Sequence, residues 1–507
     1  MKHSQILKSS ALVLIATLIL RGLNFIREMT LAATYGAGNI SDAFIVAFTL
    51  PDLVLVIIAS AVSSAFIPYY FETKSDKQQL TRNVISCLML IGLLFSVVFS
   101  IFPQPLVFLF ASQLDKNVFE LAVQFSRIVL WSAIPILVAA VLRSFLQIKD
   151  RFFSSSIADG LISICIIPTI LLSRYYLPLM AVGVILGKMA SLLALTILSR
   201  RNGMSYRFYI NLRDDKLRAM LTMMIPVFII SGISDLNIII DRNFASSLAS
   251  GAISSLNYAN RMNSLIAGLT GMTLATVMFP RISEQAASGD YKLLNYQILN
   301  CTKKLIPIVL PVMLGIVILA KPIVSILYER GAFSPTDTQN TAECLRMYAL
   351  GVFFNCINPI LMRAFFAMKN TRTPAICSVA ALGIGIVLDI LLVGPLQHQG
   401  LALATSISSG ASVFFLFICL RKVLGPLGLL TPKGDLYKTL LATGVSGVAI
   451  MAAYKTLPVM SGSKFQCIGL TVGIVLAAAI IYFAMQAILR TEFLKYSARQ
   501  VRGLLKR

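Results

Sequence analysis

The stretch RGLNFIREMTLAATYGAGNISDAFIVAFTLPDL, residues 21–53, decides the architecture. Two apolar runs meet in it at a short turn of small and polar residues, TYGAGNISDAF (34–44). The first run begins near residue 10 and the second continues to about residue 70. Each exceeds the roughly 20 residues that a helix needs to cross about 30 Å of hydrocarbon. Yet Arg21, Arg27 and Glu28 lie inside the first run, and Asp52 inside the second. A charge at bilayer depth costs a few kcal/mol even on mild scales, so it is kept where it meets a polar cavity or another charge.

The same pattern extends outward over the whole chain. Only 13% of the 507 residues are charged and 57% are hydrophobic, with mean hydropathy +0.83. Soluble domains carry about 25% charged residues, so this composition excludes one. The apolar runs are continuous rather than alternating, which selects membrane helices over a membrane barrel. The fold class expected is an all-α polytopic membrane protein. About 14 spans are placed near 10–33, 42–70, 83–111, 118–147, 152–173, 177–199, 219–249, 252–280, 304–327, 341–368, 375–394, 400–421, 438–456 and 466–489.

A net charge of +23 suggests nucleic acid until its distribution is read. With the N-terminus inside, cytoplasmic segments hold about 29 Lys and Arg and the outer loops about 5. This bias predicts cytoplasmic N- and C-termini and assigns the basic charge to orientation and lipid headgroups, with no nucleic-acid role. Ten cations nevertheless fall within spans: Arg21, Arg27, Arg127, Arg143, Lys188, Arg242, Arg261, Lys321, Arg346 and Arg363. The preponderance of Arg points to a phosphate-type anion, which a planar guanidinium grips through paired donors.

Other chemistry is thin. The eight cysteines form no CxxC pair and read as small core hydrophobes, and His3 and His398 make no metal motif. Arg21 and Arg27 interrupt the first apolar run, so it reads as an uncleaved helix rather than a signal peptide. There is no phosphate-binding loop, HExxH or nucleophile elbow in the sequence. The expectation is a transporter, not an enzyme, without a bound cofactor and driven by an ion gradient or the membrane potential.

The chain reads as a parallel repeat. SLASGAISSLNY (247–258) follows TYGAGNISDAF at an offset of 213, matching Gly251 to Gly38, Ile253 to Ile40 and Ser254 to Ser41. TVMFPRISE (276–284) likewise parallels SAFIPYYFE (64–72). The organisation expected is an N-lobe at 1–199 and a basic cytoplasmic linker at 200–218. A C-lobe follows at 219–421, a second linker at 422–437, and two further helices with a basic tail at 438–507. Two six-helix lobes of like orientation form a transporter architecture with its site at their interface.

Candidate site residues follow from depth. Arg21 and Glu28 are seven apart and share a helix face, while Arg27 lies about 9 Å further along the axis than Arg21. Arg261, in SLNYANRMNSL, sits at similar depth in the second half. Asp42 opens the second span and either pairs with a neighbouring Arg or caps a helix N-terminus. Asp241, Asp389 and Thr405 fall at one depth below the outer surface. They read as a cation or proton site, or the two acids as salt-bridge partners, Asp241 of Arg242 and Asp389 of Arg346. Asp52 and Asp159 have no evident partner. The last two spans, which hold no acid, fit lipid contact, an acyl or prenyl groove, or plain packing.

The blocks RGLNFIREMTLAATYGAGNISDAFIVAFTLPDL (21–53), NYANRM (257–262), RGAFSPTDT (330–338), AFFAMKNTRTP (364–374) and VGPLQHQGLALATSIS (393–408) carry a resemblance. Together they resemble the MurJ (MviN) lipid II flippases, of the multidrug/oligosaccharidyl-lipid/polysaccharide exporter superfamily. The resemblance implies two lobes around a cationic cavity and a lipid groove made by the last two helices. It implies transfer of undecaprenyl-diphosphate-linked disaccharide-pentapeptide to the outer leaflet of the bacterial inner membrane by alternating access. Arg21, Arg27, Arg261 and Arg363 then match cavity cations, Glu28 and Asp42 match acids of the same region, and Asp241, Asp389 and Thr405 match a sodium site. Membrane lipids and cell-wall synthesis proteins are the further partners implied.

There are departures. Leu55 and Val56 stand where many members carry an Arg pair, and Gly385 where sodium-binding members have an amide. A flippase for another polyprenyl-diphosphate glycan, such as an O-antigen or capsule unit, is the alternative. A drug or cation antiporter would want acids and aromatics in the cavity. A non-transporting scaffold leaves the intramembrane arginines unexplained.

Overall fold

A computed structural model describes residues 2–72, 77–268, 291–368, 370–425, 435–460, 463–491 and 493–494. The second repeat element at 276–284, most of the 422–437 linker and the basic tail lie outside the described residues. The spans form helices because apolar runs in lipid must satisfy every backbone polar group within themselves. In chain order the helices are α1 (Lys2–Tyr35), α2 (Asn39–Glu72), α3 (Lys77–Ile101), α4 (Gln104–Phe110), α5 (Lys116–Val129), α6 (Ala133–Ile148), α7 (Phe152–Leu172) and α8 (Leu179–Arg201). Then come α9 (Asp215–Ser246), α10 (Ala252–Ala267), α11 (Tyr291–Tyr328), α12 (Pro335–Ala367), α13 (Arg372–Leu424), α14 (Asp435–Thr456) and α15 (Lys464–Ile488). Among the described residues, ten helices are long and apolar enough to cross a membrane. One of these, α13, is broken at Gln397 (φ 49°, ψ −133°) and so contains both the 375–394 and 400–421 spans. The all-helical membrane class read from the sequence is the one observed.

The chain divides into two compact units, Met1–Ser254 with Arg330–Ser334, and Ser255–Glu329 with Pro335–Arg507. In the first, α2 packs against α5, α6 and α9, α1 against α7, and α7 against α8. Its core joins Leu55, Val62 and Phe66 of α2 to Leu80, Val84 and Leu88 of α3 and to Leu137, Val141 and Phe145 of α6. Small residues let the helices approach: a Cβ on Gly187 of α8 would lie 2.7 Å from the Ile162 carbonyl of α7. The 200–218 linker is tied down rather than loose. Asn83 of α3 exchanges two hydrogen bonds with the Asn211 backbone, at 2.9 and 2.8 Å, and Ser86 Oγ accepts the Tyr209 N–H.

In the second unit α12 packs against both α11 and α13, and α14 and α15 pair with each other and with α11. Its main core holds Leu305, Val352, Ile360, Phe365, Leu416 and Leu420. A smaller one sets Leu319 of α11 against Ile450 and Ile474 of the last two helices. Across the two units, large apolar side chains such as Leu94, Val448 and Ile480 are exposed, as they are where lipid replaces water.

Candidate functional site

The charged residues of 21–53 are built into three arrangements, all within the first unit. The first is on α1. Arg27 and Glu28 are 6% and 5% exposed and form an ion pair, Nη2 to Oε1, of 2.8 Å. Adjacent helical residues diverge by about 100°, so only two long side chains bending toward each other close such a pair. The Phe48 ring of α2 lies 4.6 Å from the Arg27 guanidinium, a cation–π contact that strengthens when desolvated. Arg21 is half-buried on the same helix. Glu28, which shares a face with Arg21 in the sequence reading, is bonded to its immediate neighbour.

The second arrangement surrounds Asp42. Its buried carboxylate accepts the backbone N–H groups of Gly251 and Ser254, each at 2.7 Å, and the Ser254 hydroxyl. Gly251 precedes the first residue of α10, so Asp42 caps a helix, but not its own. A carboxylate here satisfies donors that no intrahelical carbonyl reaches and meets the positive end of the helix dipole. The two turns set in register at 213 residues are thus bonded to each other; Ser250 Oγ also donates to Asn39 Oδ1. Gly251 has φ +89°, and a Cβ there would run into the Ala37 carbonyl, so glycine is required twice over. The RGAFS segment closes on the same turn: the Ala332 N–H donates to the Ala33 carbonyl at 2.9 Å. Arg242 Nη1 donates to the Ile45 carbonyl at 3.0 Å.

The third arrangement supplies the partners that the sequence leaves unassigned. Lys188 of α8 meets Asp52 of α2 at 2.6 Å, and Arg143 of α6 meets Asp159 of α7 at 2.7 Å. Ser191 Oγ also donates to Asp159, at 3.3 Å. The signal available in the sequence is opposite charge at matching depth, but depth alone does not pair four charges. These cations border a cavity that Val56 also lines. Val56 is 48% exposed whereas Leu55 is 0% exposed, within the α2 core.

The remaining site candidates are distributed between the units. Asp241 lies on α9 of the first unit, half-buried. Asp389 and Thr405 lie on the two limbs of α13 in the second, where Asp389 is buried and Thr405 Oγ1 donates to the Leu401 carbonyl at 2.9 Å. Arg261 of α10 is exposed and Arg363 of α12 is half-buried, both in the second unit.

Comparison with known proteins supplies the context. The family model "Lipid II flippase MurJ" matches residues 31–466. A probable lipid II flippase MurJ of Rickettsia prowazekii is 29% identical over 420 residues, covering 81% of this chain and 83% of its own. One of Thermotoga maritima is 28% identical over 491 residues, covering 96% and 97%. A solved structure of lipid II flippase MurJ in an inward closed conformation superposes with TM-score 0.83 at 27% identity, over 94% of this chain and 98% of that one. An inward-facing multidrug resistance MATE transporter shares the fold, with TM-score 0.68 at 14% identity, over 81% of this chain and 96% of its own.

Proposed function

Because the chain belongs to the MurJ family of lipid II flippases, we propose how it carries lipid II to the outer leaflet of the bacterial inner membrane. The buried Arg27–Glu28 pair carries the reading. Arg21 and Arg27 of the first unit take up negative charge of the diphosphate through paired guanidinium donors, and Arg261 and Arg363 are the candidate cations of the second unit. Arg27 is already committed to Glu28, so the diphosphate must compete with a carboxylate for it. That competition keeps the grip reversible: a cavity of uncompensated arginines would bind the anion and not release it.

Alternating access needs an outer closure that can open. The Asp42 cap and the Ala332–Ala33 bond hold the outer turns of the first unit together, and in this scheme they part when lipid II leaves. Both termini face the cytoplasm. The membrane potential is the driving force: each elementary charge is worth about 2.3 kcal/mol per 100 mV. Two diphosphate charges moving outward from a negative interior therefore gain about 4–5 kcal/mol per 100 mV. Neutralising the diphosphate with arginines shifts this work to the return of the empty, cationic site without changing the sum over a cycle. Sodium or a proton resets the cycle, with Asp389 and Thr405 of the second unit as its candidate ligands and Asp241 of the first as a separate acid, and cell-wall synthesis proteins receive the product.

Depletion in the host, followed by an external enzyme that cleaves exposed lipid II, tests this. Cleavable lipid II falls on depletion and is restored by the wild-type chain but not by Arg27→Ala. Unchanged exposure of lipid II, with loss of another surface glycan, overturns it.

A further inference from the structure

The cavity between α2, α6, α7 and α8 has no role in the scheme above. Its volume is about 220 Å³, well above the ~30 Å³ share of a single water, so it has room for the end of an organic ligand rather than for a bare ion. Val56, Ser60 and Ser63 of α2, Gln147 and Arg143 of α6 and Lys188 of α8 line it. Two features set its chemistry. First, its cations are balanced: Arg143 and Lys188 border the cavity, while Asp159 and Asp52 hold them at 2.7 and 2.6 Å. The four charges sum to zero, so the pocket has no net pull on a dianionic diphosphate. It offers instead two ion pairs, each able to exchange a partner with a ligand that carries both carboxylate and amide or amine groups. Second, the Arg143 guanidinium is half used. Nη2 is bonded to Asp159, while Nε is buried with no hydrogen-bond partner. A ligand carboxylate that displaces Asp159 would engage Nη2 and Nε together, the edge that takes a carboxylate in bidentate fashion.

From this arrangement we infer that the cavity is a subsite for the stem peptide of lipid II, with Arg143 receiving a peptide carboxylate and Gln147, Ser60 and Ser63 receiving peptide amides. The inference rests on lipid II being the substrate. A linear peptide ends in a carboxylate and presents amide donors and acceptors between its side chains, which is the pattern that a wall of mixed character complements, with Ser60, Ser63, Arg143 and Gln147 beside Val56, Ala59 and Ile136. Diphosphate and peptide are then read by different chemistry: the first by net positive charge, the second by balanced pairs.

The test compares two ligands on the full-length chain in nanodiscs: intact lipid II, and lipid II from which an amidase has removed the peptide. Two variants are used. Arg143→Gln with Asp159→Asn removes one whole ion pair and leaves no stranded charge. Ser60→Phe fills the cavity and keeps all four charges. The wild-type chain is expected to bind intact lipid II about tenfold more tightly than the trimmed form. Each variant is expected to bring intact lipid II down to the trimmed level and leave trimmed affinity unchanged. Equal binding of both forms by the wild-type chain, or a preference that survives in both variants, overturns the peptide subsite alone. Failure of the wild-type chain to bind either form overturns the flippase scheme and the subsite with it.

Discussion

Replacing Asp42 by alanine removes one carboxylate and strands three donors: the Gly251 and Ser254 N–H groups and the Ser254 hydroxyl. Hydrogen bonds to a charged group contribute about 1.5–3 kcal/mol each, and loss of a helix cap alone costs about 0.5–2 kcal/mol. The three share one acceptor and do not add, so about 3–5 kcal/mol is expected, as for other buried charged groups whose partnership is broken. At 3 kcal/mol the bonded arrangement of the turns weakens about 150-fold. Asn39→Cys with Ser250→Cys reports on it, because the Ser250 hydroxyl and the Asn39 amide are bonded in the intact arrangement. Oxidation in membranes should cross-link this pair readily in the parent chain and poorly once Asp42→Ala is added, with a lower melting temperature. Asp42→Asn retains an acceptor but no charge and should fall between them. Cross-linking and melting temperature both unchanged by Asp42→Ala would show that the carboxylate does not hold the start of α10.

Three further outcomes are expected. Gly251→Ala places a side chain at φ +89° against the Ala37 carbonyl and should destabilise the protein by about 1–3 kcal/mol, read as a drop in melting temperature. Lys188→Met leaves Asp52 without its 2.6 Å partner and should cost about 1–3 kcal/mol, the lower range reflecting the partly exposed acid; adding Asp52→Leu should recover most of the loss in the same melting assay. Arg27→Lys keeps the charge but loses the planar group over Phe48, so it should preserve folding and lower outer-leaflet lipid II, whereas Arg27→Ala with Glu28→Gln should restore stability without restoring transport.

Much of the fold was legible because the bilayer simplifies the problem. A run of 20 or more apolar residues must become a helix, since no water is present to satisfy an open backbone. The turn at 34–44 and its counterpart at 247–258 were legible as turns by their small residues, and Gly36 and Gly251 prove to be the positive-φ positions there. The site was legible only as a set of charges at certain depths. That Arg27 would take Glu28, or that Asp42 would cap a helix 209 residues away, was not, because a side chain's partner depends on how each helix is rotated about its axis.

The sequence by itself determined the membrane class, the helical content, the basic bias of one side and the presence of charge inside the bilayer. These follow from composition and from periods of a few residues, and they are local. The tertiary structure alone decided which acid neutralises which cation. Asp52 lies 136 residues from Lys188, and Asp159 lies 16 from Arg143. Four partly buried charges can be paired in more than one way at equal depth, and Coulomb energy falls with distance. The choice among pairings is made when the helices pack, by the few ångströms that separate a bonded pair from an unpaired one.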